Sequence, residues 1–447
     1  MKKIKRIIVT QSAQNYPKTI EIVTRAKNTF QINDIIYLQN EHPKFPNGYS
    51  KQQEFEYMKE TLVLTTRKST PFVTTFASPG NIVENIGSML TLNWHCAFNC
   101  QFCYLIGSSY QRPWQEAYVN IDEMERQILL EQFVHPSILT VWSLVSEFQK
   151  STFVKIPENL KETGDWIRER FIKLNIDSDE KAIKFINDNF TNIFPNHMCI
   201  DPFDDGLKKQ ISNYYLANKK FPVWLNLSEY TDFLGIDPLT KFSLDMVGIL
   251  NRNPNLKTTM RTKSANVDDL LTCKVGSNIK VAMNFNTQHA IDNYELDTPS
   301  LDERITAAKK IQANGGVILR IIIEPIICYD NFEDDYIKLI ERLKKELNLS
   351  AVESITFGCV RYKNKLVSMI EAVYPSNKLD LKTNLKLYPK DRIRYDETLR
   401  KSIYNKIFAC LKGVNTKIQL AAETPQMWDD LGLKKEDHIG LSVKQHK

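Results

Sequence analysis

The stretch that decides the fold reads Trp94-His-Cys-Ala-Phe-Asn-Cys-Gln-Phe-Cys-Tyr104. It holds Cys96, Cys100 and Cys103 at the spacing C-x3-C-x2-C. Thiolates are soft ligands that suit iron–sulfur clusters and zinc. A cluster of four irons normally takes four cysteines, so three neighbouring cysteines leave one iron open to another ligand. The spacing therefore predicts a [4Fe-4S] cluster with one open iron.

Three other interpretations of these cysteines remain open. A structural zinc site needs a fourth ligand, usually from a second close pair, and the sequence has no second C-x2-C, although His95 could serve. A thioredoxin-like pair of Cys100 and Cys103 leaves Cys96 unexplained. Structural disulfides require partners and an oxidising compartment. The other cysteines lie singly, which indicates a reducing compartment: Cys199, Cys273, Cys328, Cys359 and Cys410.

Length and composition indicate a globular protein of two or three structural units. The chain has 447 residues, of which 42% are hydrophobic, and about 150 residues per unit is the usual prior. The net charge of +6 permits an anionic partner without requiring one. No apolar run approaches the roughly 18 residues of a membrane span, and the run near the N terminus is too short for a signal peptide. We therefore expect a cytoplasmic protein.

Apolar runs alternate with helical patterns over much of the chain, as in α/β proteins. One predicted strand, Met89–Trp94, runs straight into the cysteines, and others follow at Val223–Leu227, Thr258–Thr262, Ile279–Phe285, Val317–Ile323 and Ser354–Phe357. Helices are predicted at Leu301–Asn314 and Phe332–Leu347. This alternation predicts a partial (open) parallel β/α barrel, in which the loops after the strands carry the chemistry.

Four regions are expected along the chain. Residues 1–80 form a small N-terminal α/β region. Residues 81–134 and 221–375 form the partial barrel. Residues 135–220 are rich in charge and in helical patterns, and we interpret them as a helical insertion, a lid or a surface embellishment. Residues 376–447 form a C-terminal region that contains a final helix at Arg394–Leu411.

The cysteine spacing is the signature of the radical S-adenosyl-L-methionine (SAM) superfamily, and other stretches resemble spore photoproduct lyase, which reverts a methylene-bridged thymine dimer in spore DNA. They include Thr231–Thr240, Thr262-Lys263, Glu324-Pro-Ile326 and Ile355–Phe357, in the same order as in the lyase. The resemblance covers most of the chain, with 135–220 as an extra insert. It implies a fold of the radical SAM type, a [4Fe-4S] cluster on the three cysteines and SAM on the open iron.

The resemblance further implies an activity. In this superfamily, SAM is reductively cleaved to a 5′-deoxyadenosyl radical, which abstracts hydrogen from a substrate carbon. An external electron donor such as flavodoxin or ferredoxin is then a partner, and a nucleobase or DNA is a candidate substrate. Two alternatives stay open. One is a radical SAM enzyme that acts on a small molecule other than DNA or on a peptide, and the other is a non-catalytic zinc or nucleic-acid binding protein.

The resemblance also assigns roles to side chains. Lys263 matches a lysine that contacts the SAM carboxylate, Ser228 lies in a segment that contacts SAM, and Tyr104 matches a tyrosine of the lyase's radical relay. Two positions depart from the lyase. The hydrogen-donating cysteine is replaced by Glu229, and the second relay tyrosine is replaced by Phe102. A carboxylate cannot donate a hydrogen atom in that way, which argues against dimer reversal.

Glu229 has two interpretations: it holds the SAM amino group, as the glutamate of a Gly-Gly-Glu stretch does in other radical SAM enzymes, or it is a surface carboxylate. The predicted cofactor-binding residues are Phe102, Ser228, Glu229, Lys263 and Asn284. The predicted catalytic residues are Tyr104 and Cys328. Cys328 follows a predicted strand, where it is either a replacement hydrogen donor or a small buried hydrophobe.

Two further groups of charges are ambiguous. Arg320 and Glu324 lie in or beside an apolar strand, so they either pair with neighbouring elements or face a polar cavity. The stretch 378–394 is basic and contains Tyr388, which is typical of a surface that follows a phosphate backbone but equally of a solvated basic loop.

Overall fold

A computed structural model describes residues 4–76, 87–109, 112–151, 160–193, 205–227, 229–380, 382–388 and 392–434. The predicted cofactor residue Ser228 lies outside the described residues, as does Cys199.

The described strands are β1 (Arg6–Val9), β2 (Asp34–Tyr37), β3 (Thr61–Thr65), β4 (Val73–Phe76), β5 (Gly87–Leu90), β6 (Asn93–Trp94), β7 (Asn99–Cys100), β8 (Gln115–Tyr118), β9 (Val223–Leu227), β10 (Leu256–Thr262), β11 (Ile279–Asn284), β12 (Glu295–Leu296), β13 (Ile318–Ile326), β14 (Ser354–Cys359), β15 (Arg361–Lys363), β16 (Leu385–Tyr388), β17 (Arg392–Tyr395) and β18 (Lys417–Leu420). The described α-helices are α1 (Pro17–Phe30), α2 (Lys51–Lys59), α3 (Leu105–Ser109), α4 (Ile121–Ser151), α5 (Leu160–Leu174), α6 (Asp179–Ile193), α7 (Asp205–Asn218), α8 (Asp237–Thr240), α9 (Phe242–Arg252), α10 (Asp268–Thr272), α11 (Gln288–Tyr294), α12 (Leu301–Asn314), α13 (Phe332–Glu346), α14 (Leu366–Val373), α15 (Glu397–Cys410) and α16 (Pro425–Asp430).

The N-terminal part of the chain forms a five-stranded sheet in the order β2-β1-β3-β8-β6. The first four strands are parallel neighbours, and β6 pairs antiparallel with β8. Ile7 and Val9 of β1 and Leu62 and Leu64 of β3 are fully buried in the main hydrophobic core. The predicted α/β region 1–80 is therefore completed by two strands, β6 and β8, that come from beyond residue 80.

The second sheet forms the predicted barrel, with its eight strands in the order β18-β14-β13-β11-β10-β9-β5-β4. All neighbours are parallel except β4 and β5, which are antiparallel. Alternate side chains such as Leu256, Met260 and Val281 are buried in the main core, as the two-residue period of a strand requires. Within the described residues the edge strands β18 and β4 do not pair with each other. The prediction of an open parallel barrel is therefore confirmed.

The strand predicted at Met89–Trp94 is wrong in detail, because the segment forms two strands in different sheets. β5 pairs with β9 in the barrel, whereas β6 pairs with β8 in the N-terminal sheet. The chain thus crosses from one sheet to the other immediately before the cysteines. The final helix also differs, since Arg392–Tyr395 forms β17, a strand paired with β15 and β16. The helix there begins at Glu397, and β18 and α16 follow it.

Residues 135–220 are helical where they are described, as predicted. α4 begins at Ile121 and runs through the proposed boundary at residue 134. The first helix of the insertion is therefore a continuation of a helix that begins in the barrel region. The insertion has a hydrophobic core of its own that contains Ile167, Phe171, Ile186 and Tyr215. The helix α7 was not anticipated from the sequence. The regional boundaries otherwise stay predictions.

A buried ion pair attaches the insertion to the barrel edge. Arg168 of α5 lies 2.6 Å from Glu131 of α4, and the side chains are 3% and 2% exposed. Both groups also bond to Ser88 of β5, at 2.9 Å each. Asp165 accepts a hydrogen bond from the backbone of Thr75 in β4 at 2.6 Å. These contacts cover the antiparallel edge of the barrel sheet. No helix in the described ranges is both long and apolar enough to cross a membrane.

Candidate active site

The cysteine loop is held in place by backbone pairing and by one buried lysine. Cys100 of β7 pairs antiparallel with Glu295 of β12, and the backbone N–H of Gln101 donates to the carbonyl of Tyr294 at 2.9 Å. Lys59 Nζ donates to the carbonyl oxygens of Cys96 and Phe98, both at 2.6 Å. A lysine from α2 therefore satisfies backbone acceptors that the tight loop leaves without strand partners.

The loop places the three cysteine thiols near one another, with Cys100 buried and Cys96 and Cys103 half-buried. Burial raises the pKa of Cys96 to about 12, with a further contribution from Asp232, and burial also raises the pKa of Cys100. Repulsion from a neighbouring Cys103 thiolate raises the pKa values of Cys96 and Cys100 further. Metal binding requires thiolates, so such a site takes up metal with release of protons.

The donor set fits an iron–sulfur cluster. Three sulfurs of the type that binds such clusters lie on one short loop. The Cys96 sulfur accepts a hydrogen bond from the Phe98 backbone at 3.4 Å, an interaction of the kind that tunes clusters. In the described ranges, no three Cys, His, Asp or Glu side chains are arranged to hold a single metal ion. His95, considered as a fourth zinc ligand, has Nε2 placed 2.7 Å from the carbonyl oxygen of Arg112.

The predicted cofactor residues follow the ends of neighbouring barrel strands. Glu229 follows β9, Lys263 follows β10 and Asn284 ends β11. These strands are adjacent and parallel, so their carboxyl ends meet at one edge of the barrel. Lys263 Nζ lies 3.5 Å from the carbonyl oxygen of Glu324, and Asn284 Nδ2 donates to the same oxygen at 2.6 Å. The structure therefore brings Lys263 and Asn284 together.

Lys263 is a half-buried cation beside the cysteine loop. Its Nζ lies 3.5 Å from Glu295 Oε1 and 5.8 Å from the centre of the Phe102 ring. Burial acts to lower the pKa of Lys263, but Glu295 and Cys100 outweigh it and hold the pKa above its ordinary value. Lys263 thus stays protonated and can receive an anionic group such as a carboxylate.

Tyr104 and Glu229 are brought together directly. The Tyr104 hydroxyl donates to the backbone carbonyl of Glu229, although the residue as a whole remains exposed. The Glu229 carboxylate lies 3.6 Å from the guanidinium of Arg261. Asn284 offers a further acceptor, because its Oδ1 is buried without a hydrogen-bond partner in the part of the chain that the structure describes.

Arg320 and Glu324 are both partnered and both on the inner face of the barrel. Arg320 donates to Ser354 and to Gln419, each at 3.2 Å. Glu324 pairs with Arg361, which with Arg261 outweighs the effect of burial and lowers the pKa of the carboxyl. The two interpretations of these charges are therefore compatible.

Cys328 follows β13 and contacts Tyr395. Its backbone N–H donates to the Tyr395 hydroxyl at 2.8 Å, and burial raises the pKa of its thiol to about 12. It packs against the main core near Cys359, whose backbone N–H donates to the hydroxyl of Tyr404 of α15. These contacts do not bring Cys328 to the cysteine loop, so they give the hydrogen-donor hypothesis no support.

Some of the basic side chains in the stretch 378–394 form ion pairs within the protein. Where described, it forms the strands β16 and β17. Arg394 is buried and pairs with Glu423, and Lys386 pairs with Asp396. The positive charge of this segment is therefore partly neutralised within the protein.

The chain is similar in sequence to spore photoproduct lyases. The spore photoproduct lyase family model matches residues 206–417. The Bacillus subtilis lyase is 31% identical over 160 residues, which are 35% of this chain and 46% of that protein. A Geobacillus lyase is 29% identical over 160 residues, with 35% and 47% covered. The chain thus spans about half the length of these two curated relatives. The Clostridium acetobutylicum lyase is 22% identical over 379 residues, with 84% of each chain covered.

Solved structures of spore photoproduct lyase are similar to this chain in fold. A spore photoproduct lyase complexed with dinucleoside spore photoproduct superposes with a TM-score of 0.63 at 18% identity, covering 94% of this chain and 99% of that one. A variant with bound AdoMet and the same dinucleoside gives 0.63 at 18%, covering 93% and 98%. The chain resembles spore photoproduct lyase in sequence and in fold. The fold is accordingly the partial barrel of the radical SAM type, shared with the lyase.

Several residues of this site carry no local sequence signal. Lys59 lies on a polar helix, Glu295 lies almost 200 positions after the cysteine with which it pairs, and Arg261 looks like an ordinary strand charge. Of these, only Arg261 was detectable in principle, because a charge on the inward side of a barrel strand lies on a face that can bind ligands.

Proposed function

We propose that the protein is a radical SAM enzyme in which Cys96, Cys100 and Cys103 bind three irons of a [4Fe-4S] cluster and SAM takes the fourth. The observation that carries this proposal is the cysteine loop next to the barrel edge that holds Lys263, in which the buried Cys100 and the half-buried Cys96 and Cys103 influence one another electrostatically. When bound, the cluster would supply the electron that cleaves SAM to methionine and a 5′-deoxyadenosyl radical.

The protein's own residues would bind and orient SAM. Lys263 would receive the SAM carboxylate, because it is half-buried and protonated beside the loop. Glu229 would hold the amino group, and the unpartnered Oδ1 of Asn284 would accept from a donor group of SAM. Phe102 contributes an apolar ring at 5.8 Å from Lys263, which limits the access of water. Ser228, one residue before Glu229, remains a proposed SAM contact.

Tyr104 is the proposed relay residue. Its hydroxyl is fixed on the carbonyl of Glu229, the position at which the lyase has its donor cysteine. In this chain Glu229 replaces that cysteine and Phe102 replaces the second relay tyrosine. These two replacements support a reaction that ends differently from dimer reversal.

Two classes of substrate are proposed. The relatives act on spore photoproduct, so a nucleobase lesion in DNA is the first candidate. The departures at Glu229 and Phe102 favour the second candidate, a different small molecule or a peptide bound in the same scaffold. An external donor such as flavodoxin or ferredoxin would supply the electron.

The proposal is tested by anaerobic reconstitution with iron and sulfide. We expect about four irons per chain and release of 5′-deoxyadenosine from SAM under dithionite. Cys100→Ser should lose both, whereas Cys410→Ser, on the outer helix α15, should keep both. Bound zinc without any 5′-deoxyadenosine would contradict the proposal and favour a binding protein.

The substrate is tested separately with oligonucleotides that contain spore photoproduct. Formation of thymine dinucleotide would establish dimer reversal. Cleavage of SAM without any thymine product would exclude it and leave the second candidate.

A further inference from the structure

Four cationic side chains share the inner face of the barrel. They are Lys257, Arg261, Lys280 and Arg320, called here the interior cations. They alternate along their strands with core-facing residues such as Met260, Val281 and Ile321, so they point away from the helices. Lys257 and Arg261 belong to β10, Lys280 to β11 and Arg320 to β13.

The strand register places two arginines on either side of a small residue. Arg261 is aligned with Ala282, and Ala282 is aligned with Arg320 on the next strand. Two residues earlier on each strand, and on the same face, Lys280 is aligned with Thr259. The alanine side chain is small, so the Arg261 and Arg320 side chains leave the same face of the sheet with little side-chain volume between them at this level.

Carboxylates lie beside several of these cations. Glu353 is shared, since it hydrogen-bonds to Lys280 and lies 3.7 Å from Arg320. Glu229 lies 3.6 Å from Arg261. Glu324 is engaged by a further cation, Arg361.

The interior cations repel one another. Burial lowers the pKa of Arg320 to about 10, and Arg261 adds to the effect. Burial also lowers the pKa of Lys280, whose Nζ lies 3.9 Å from the centre of the Trp224 ring. Repulsion between like charges in a partly desolvated space disfavours their charged forms, and charged groups perturbed in this way mark functional sites. A bound anion would relieve the repulsion.

The face is open to a ligand at the arginine pair. The Arg261 side chain is 50% exposed while the Arg320 side chain is 10% exposed, so one guanidinium is solvated and the other lies deep. The planar guanidinium fork matches phosphate and carboxylate oxygens. Among the described residues, Arg320 has two hydrogen-bond acceptors, the neutral oxygens of Ser354 and Gln419, and the Glu353 carboxylate lies 3.7 Å away.

We propose that the barrel interior binds an oxyanion, a phosphate or a carboxylate, between Arg261 and Arg320, and that the protein selects an anionic substrate in this way. The assignment of the anion to a substrate rests on the proposed function, whereas the anion site itself does not.

The test is equilibrium dialysis of the full-length reconstituted protein with radiolabelled phosphate and, separately, with radiolabelled acetate at constant ionic strength. We expect saturable binding of one of the two anions. Arg261→Gln should weaken that binding at least about tenfold, or ~1.4 kcal/mol, and Arg261→Lys should restore part of it. The matched control is Arg252→Gln, an exposed arginine at the end of the outer helix α9, which should bind as the wild type does.

The two anions distinguish the substrate classes. Binding of phosphate alone supports a phosphorylated or nucleotide substrate, and binding of acetate alone supports a carboxylate substrate. Binding of neither, or equal binding by Arg261→Gln and the wild type, would overturn the proposal. Anion binding without SAM cleavage would contradict the proposed function but not the anion site. SAM cleavage without anion binding would contradict the anion site but not the proposed function.

Discussion

The side chains of Lys263 and Glu295 join the barrel to the cysteine loop, with Lys263 Nζ lying 3.5 Å from Glu295 Oε1. Glu295 pairs through its backbone with Cys100, and its second carboxylate oxygen lies 2.7 Å from the buried Arg304. Both oxygens of one carboxylate are thus held by cations. Displacement of the loop relative to β10 would break a buried ion pair, so this contact fixes the position of Lys263 relative to the cysteines.

Glu295→Gln is expected to lower the free energy of unfolding by about 3 kcal/mol or more, because it leaves Arg304 buried without its anion. Chemical denaturation measures the change. The matched control is Glu346→Gln, whose carboxylate pairs with Lys309 and Arg342 on the surface, and here we expect a change within about 1 kcal/mol. Equal effects of the two substitutions would show that the Glu295 carboxylate is not a structural anchor.

Lys263→Gln tests the proposed SAM contact. Removal of the cation should weaken SAM binding about tenfold or more, or ~1.4 kcal/mol, while the iron content stays that of the wild type. Equilibrium dialysis with labelled SAM on the reconstituted protein gives the affinity. Lys310→Gln, an exposed lysine of α12 paired with Asp268, should leave the affinity unchanged. Wild-type affinity in the Lys263 variant would remove this lysine from the SAM site.

The fold was largely predictable, because the apolar runs of the barrel strands and the cysteine spacing are local signals. The strand predicted at Met89–Trp94 failed because its second half pairs with β8, and that choice depends on contacts remote in sequence. α2 was missed because its only fully buried apolar side chains are Phe55 and Met58. The anchor Glu295 had no signal at all, since its role exists only after β12 meets β7.

The insertion should become less stable in mild acid because of His135. Burial, with a contribution from Arg168, lowers the pKa of His135 to about 4, whereas an unfolded histidine has a pKa of about 6.5. As the pH falls below about 6.5, the unfolded chain binds a proton that the folded chain does not. The free energy of unfolding then falls by up to about 1.4 kcal/mol per pH unit until about pH 4, and His135 contributes nothing to this dependence above about pH 6.5.

Denaturation of the wild type and of His135→Met at about pH 7 and about pH 5 measures this dependence. The variant should lose part of the decrease in stability, and a control substitution of the exposed His42 to Gln should retain it. A decrease of the same size in His135→Met would assign the acid sensitivity to other groups.

The pair Arg168–Glu131 should behave as a coupled unit that attaches the insertion to the barrel edge. Each of Arg168→Met and Glu131→Leu leaves a buried charge without its partner and should lower the free energy of unfolding by about 3–5 kcal/mol. The double variant should cost much less than the sum, because it removes both charges at once. Lys184→Met, which breaks an exposed pair with Asp188 on α6, should change stability by less than about 1 kcal/mol. Additive effects of Arg168→Met and Glu131→Leu in denaturation experiments would mean that the two charges are stabilised independently, and that the insertion is held to the barrel by its apolar contacts instead.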